Sequence, residues 1–121
     1  MATPNLINVD TITPVTLAGA VVTGGTDIID VAAEYVAKVN SLIICNIDGT
    51  NSATITVGVS VDNGSNYYSI ASTISVPADA AVTIVGKDNG FYLDETDLLK
   101  VTASANSDLT YCVSYELMKD A

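Results

Sequence analysis

Apolar residues in this chain recur mostly at every second position. In residues 53–61, Ile55, Val57, Val59 and Val61 alternate with Thr54, Thr56, Gly58 and Ser60. Strict alternation puts the two sets on opposite faces of a half-buried strand, with the aliphatic set in the core. Asp62-Asn63-Gly64-Ser65 follows, and Asn and Gly accept positive φ, so a turn is predicted there. The chain returns through Tyr67, Tyr68, Ile70, Ile74 and Val76 and stops at Pro77. Residues 53–78 therefore read as a β-hairpin.

The same period governs the rest. Leu109, Tyr111, Val113, Tyr115 and Leu117 alternate with Thr110, Cys112, Ser114 and Glu116; Leu99, Val101 and Ala103 alternate with Lys100, Thr102 and Ser104. Shorter strands are predicted around Ile28, Ile29 and Val31, around Val82 and Ile84, and at Phe91-Tyr92-Leu93. Leu42-Ile43-Ile44-Cys45 is apolar on both faces, which predicts a central strand covered on both sides. Turn clusters at residues 48–52, 87–90, 94–97 and 106–108 separate these pieces, and no segment has a helical stripe. Short strands at this spacing predict an all-β fold, an antiparallel β-sandwich or a jelly-roll-like variant of it, over residues 26–121. Residues 1–25, broken by Pro4, Pro14 and Gly24-Gly25, read as an extended N-terminal arm or as edge strands. In the arm reading, Val15, Leu17 and Val21 are the contacts with a neighbouring subunit.

Charge narrows the function. The 121 residues hold 14 acidic and 4 basic side chains, a net charge of −10. The cations are Lys38, Lys87, Lys100 and Lys119, with no arginine. Phosphate neutralisation needs clustered cations, so neither nucleic acid nor an anionic membrane is an expected partner. Histidine is absent, which removes Ser-His-Asp and Cys-His catalysis within the chain. No carboxylate pair stands out for glycoside hydrolysis, and no enzymatic activity is expected. Asp62, Gly64 and Asn66 loosely echo a calcium loop, and Asp94, Glu95 and Asp97 form a second acidic cluster. Calcium requires six to eight converging oxygens, and neither cluster has the loop length or the closing bidentate Glu, so both read as turns, with no metal or cofactor expected. The start of the chain lacks a basic segment followed by an apolar one, so no signal peptide is expected. Cytoplasmic synthesis then predicts that Cys45 and Cys112 are free, buried thiols. The tyrosines could form a sugar-binding platform or pack in the core. The hairpin tip, with Asp62, Asn63, Tyr67 and Tyr68, is the best candidate for a surface that meets another protein.

Several segments carry a resemblance: Leu42-Ile43-Ile44-Cys45-Asn46, Ala53-Thr54-Ile55-Thr56-Val57, residues 59–62, Val76-Pro77-Ala78 and Phe91-Tyr92-Leu93. It continues through Thr96-Asp97, Leu99-Lys100-Val101 and Val113-Ser114-Tyr115-Glu116. Over residues 34–118 the chain resembles the short β-sandwich virion proteins of tailed bacteriophages. Related proteins often have Gly-Asp where this chain has Thr96-Asp97. The resemblance implies a non-enzymatic virion component, foremost a capsid decoration or cement protein bound to the major capsid protein. It also implies a homo-oligomer, a trimer in the decoration proteins. A neck or tail component is the alternative in the same class, and a carbohydrate-binding module the alternative in another.

Overall fold

The computed structural model describes residues 9–120. Nine strands make two antiparallel sheets. They are β1 (Val9–Ala20), β2 (Thr26–Asp30), β3 (Tyr35–Asn46), β4 (Ala53–Ser60), β5 (Tyr68–Val76), β6 (Ala81–Val85), β7 (Phe91–Leu93), β8 (Leu98–Ala103) and β9 (Leu109–Asp120). The larger sheet runs β1-β9-β3-β6, with β7 also paired to β3; the smaller runs β2-β8-β4-β5. With β7 set aside, eight strands divide between two sheets in the order of a jelly roll, two interlocked Greek keys. The all-β sandwich predicted from the alternation is the fold observed.

Inward-facing residues of both sheets form one core. Leu42, Ile44, Ile55, Val57, Leu99, Leu109 and Val113 have no more than a trace of exposed surface. These are the positions that the period of two assigns to the inside. Six short connections carry the chain between sheets, beginning with the one from β1 to β2. In the first, the Val21 N–H donates to the Leu109 carbonyl (2.9 Å) and the Ala103 N–H to the Val22 carbonyl (3.1 Å). At the far end of β3, Asn46 is 1% exposed but fully bonded. Its amide donates to the carbonyls of Asn51 (2.9 Å) and Val76 (3.0 Å), and its side-chain oxygen accepts from the Asp48 N–H (2.9 Å). One buried amide thus ties the end of β3 to the β3–β4 connection and to the end of β5 in the other sheet.

Three expectations need correction. Val61 is 67% exposed, not core, because β4 ends at Ser60 and the turn has already begun. β3 is central in its sheet, yet among the described residues no second layer covers its outer face, so Ile43 is 40% exposed and Cys45 partly so. Cys112 stands opposite Ile43 and is exposed, so the thiols are free, as expected, but surface-facing. The single helical turn among the described residues lies at Lys87–Asn89, between β6 and β7.

Candidate interaction surface

The hairpin tip is a self-bonded loop. Asn63 (φ 58°) and Gly64 (φ 90°) take the left-handed backbone that the turn requires. Asp62 Oδ1 accepts from the Ser60 hydroxyl and the Asn66 N–H, both at 2.9 Å, and Oδ2 accepts from the Asn66 amide at 2.8 Å. The Gly64 N–H donates to the Ser60 hydroxyl at 2.8 Å. Side-chain and backbone donors from Asn66 hold the Asp62 carboxyl below its ordinary pKa. Its oxygens are thus engaged by the loop itself, as the turn reading of the sequence predicts.

The two adjacent tyrosines have different fates. The Tyr67 hydroxyl donates to Asp27 of β2 at 2.8 Å, and the Lys100 ammonium lies 4.9 Å from its ring centroid. The ring also lies beside Gly58, where an added Cβ would stand 3.9 Å from the ring's Cδ2. Tyr67 therefore fastens the tip across β4, β8 and β2. Tyr68 points away and is 66% exposed. Tyr115 is buried and Tyr111 half-buried in the large sheet, so the exposed rings, Tyr68 and Tyr92, stand on different sheets. Val21 is completely buried, so it is a core residue unable to meet a partner. Val15 is half-buried, and Leu17 is exposed on β1.

Unguarded strand edges are the principal feature that the sequence reading left unassigned. β5 and β6 end their respective sheets on one side of the sandwich and contact each other; β1 and β2 end them on the opposite side. Natural edges are usually protected by charge or proline. β1 has Asp10 and Pro14, and β2 has Asp27 and Asp30. β5, nine residues long, has neither, and exposes Tyr68, Ile70 (48%) and Ile74 (42%). β6 is also uncharged. Its only guard is irregularity: the pairing of β5 with β4 slips twice, and Thr73 is forced to φ 46°. Alternation alone could not show this, since it is silent on which strand lies at an edge.

The outer face of the large sheet offers two shallow depressions. One, of about 410 Å³, is lined by Ala18, Ile43, Cys45, Thr110, Tyr111 and Cys112. The other, of about 520 Å³, lies beside β6 and β7 and is lined by Lys38, Asn40, Ser41, Lys87, Asp88 and Gly90. At the end of the sandwich near β7, Asp97 is 8% exposed and burial raises its pKa, while its carboxylate accepts from the Asp94 N–H at 2.9 Å. Glu95 accepts from the Glu34 N–H beside it. These acids cap turns.

No protein-family model matches the chain, and no curated protein matches it. Among solved structures, it is similar to a chain of the Bacillus endospore appendages, a family of disulfide-linked pili. The identity is 13% over 93% of this chain and 88% of that one, with a TM-score of 0.50. It is also similar to the Drosophila NLP core, studied for pentamer formation and histone binding, at 13% identity over 84% and 96% of the two chains (TM-score 0.48). A third is a pentameric capsid protein from metagenomic phage sequences, at 17% identity over 95% of this chain and 62% of that one (TM-score 0.40). The likeness is one of fold alone.

Proposed function

We propose that this chain is a non-enzymatic structural subunit of a tailed-phage virion, made in the host cytoplasm and added to the particle as a capsid decoration or cement protein. The observation that carries the reading is the uncharged side formed by β5 and β6, with Tyr68, Ile70 and Ile74 in water on an acidic molecule. An edge of this kind is a template for association and is normally covered in the working state. The sequence resemblance to phage virion proteins supplies the setting, and jelly rolls are frequent among capsid domains. The mechanism is mechanical. Surface buried between subunits and across the shell stabilises the assembled state by linkage, because the bound form is favoured over the free one. The partners are copies of this chain, in a trimer on the resemblance, and the major capsid protein.

Quantitative mass spectrometry of purified particles, from the phage whose genome encodes the chain, tests the proposal. A copy number comparable with that of the major capsid protein is expected. A copy number far below it would move the chain to the neck or tail, and absence from the particle would overturn the virion reading.

A further inference from the structure

The two lateral sides of the sandwich differ in charge, and the difference points to how copies meet. The strands of one side, β1 and β2, carry Asp10, Asp27 and Asp30, all exposed, and no cation. On the strands next to them, Lys100 stands beside β2 and is stacked on Tyr67, and Lys119 stands on β9 opposite Thr11 of β1. The strands of the other side, β5 and β6, carry no charge. Lys87 follows β6 and Lys38 lies on β3 beside β7, opposite Glu116 of β9; the two lysines line one depression with Asp88.

We infer that copies of this chain associate head to tail, the β5/β6 side of one docking on the β1/β2 side of the next. This rests on the structural-subunit reading above and specifies its geometry. Contact between two β1/β2 sides brings like charges together, which is unfavourable for a molecule of net charge −10. Contact between two β5/β6 sides covers Ile70 and Ile74 but leaves β1 open. β1 has no buried residue and exposes Ile12 and Leu17. The head-to-tail contact covers both sides at once and avoids setting the acids of β1 and β2 against one another. Repeated, it builds a ring when the rotation between copies closes and a filament when it does not.

The test uses the full chain with one substitution on each side: Ile70→Asp on β5 and Leu17→Lys on β1. Sedimentation velocity reads the assembly, and circular dichroism verifies that each variant retains its strand content. Ile74→Asp and Ile12→Lys replace any variant that does not fold. The wild type is expected to be oligomeric and each variant alone monomeric. A mixture of the two variants should recover a dimer and stop there, because each retains one competent side. If Leu17→Lys still dimerises while Ile70→Asp does not, β5 pairs with β5 and the inference is overturned. A monomeric wild type also overturns it; should that monomer still be found in particles, the virion reading stands without it.

Discussion

Individual residues store the strain and polar bonding that the alternation does not reveal. Thr96 has φ 64° in the turn between β7 and β8, a region that a β-branched residue enters at a cost. Its N–H donates to the Val31 carbonyl at 2.8 Å, which holds it there. Thr96→Gly should raise stability by up to about 1 kcal/mol in urea unfolding, less the entropy glycine adds to the unfolded chain; no gain would show that the turn tolerates threonine freely. Asn46→Ala should lower stability by about 1–3 kcal/mol, because it leaves the Val76 and Asn51 carbonyls without their donor. The carboxylates act in opposite directions. Asp48 and Asp62 are held below the ordinary value, 3.8, by backbone and side-chain donors, so their contribution is complete above that value and disappears as pH falls through their folded pKa. Asp97 is raised by burial, so its charge costs stability at neutral pH, and the cost vanishes as the pH falls. Asp97→Asn, which keeps an acceptor for the Asp94 N–H, should therefore raise the unfolding midpoint at neutral pH and leave it unchanged at about pH 3. An equal shift at both values would assign the effect to packing.

Elements follow the period of two closely where a strand is covered on one face, and depart from it at edges and ends. β8 buries its predicted set, and β9 buries Leu109, Val113 and Tyr115 and half-buries Tyr111 and Leu117, since each strand lies between two neighbours in its sheet. β5 does not: the pattern placed Ile70 and Ile74 in the return strand, but an edge strand with two slips in register leaves them in water. β3 looked buried on both faces because Ile43 and Cys45 are apolar, yet in a two-layer sandwich nothing among the described residues lies beyond the outer face. The pairing of Tyr67 with Asp27 spans 40 residues and has no local signature. For the same reason the acidic-versus-uncharged division of the two sides emerged only once strand order placed β5 beside β6. The β7 segment depends on a close approach. A Cβ on Gly90 would stand 2.9 Å from the Val39 carbonyl oxygen. Gly90→Ala should therefore pull β7 away from β3 and cost about 1–3 kcal/mol, with accelerated amide exchange confined to residues 87–93; a uniform change across the chain would contradict a local role.

At the scale of the whole molecule, a jelly roll with an acidic surface leaves the two edge strands of one side uncharged, with Tyr68, Ile70 and Ile74 exposed. Such a molecule is complete as a fold and incomplete as a surface. The proposed role follows from that imbalance: copies cover one another's edges, and the assembly covers a shell. A cryo-electron microscopy map of the virion tests this most directly. The account predicts density for this sandwich at symmetry-repeated positions on the particle, with its β5/β6 side covered by a neighbouring chain. A particle map that accounts for every protein without this chain, or that shows it with the β5/β6 side facing solvent, would contradict the account.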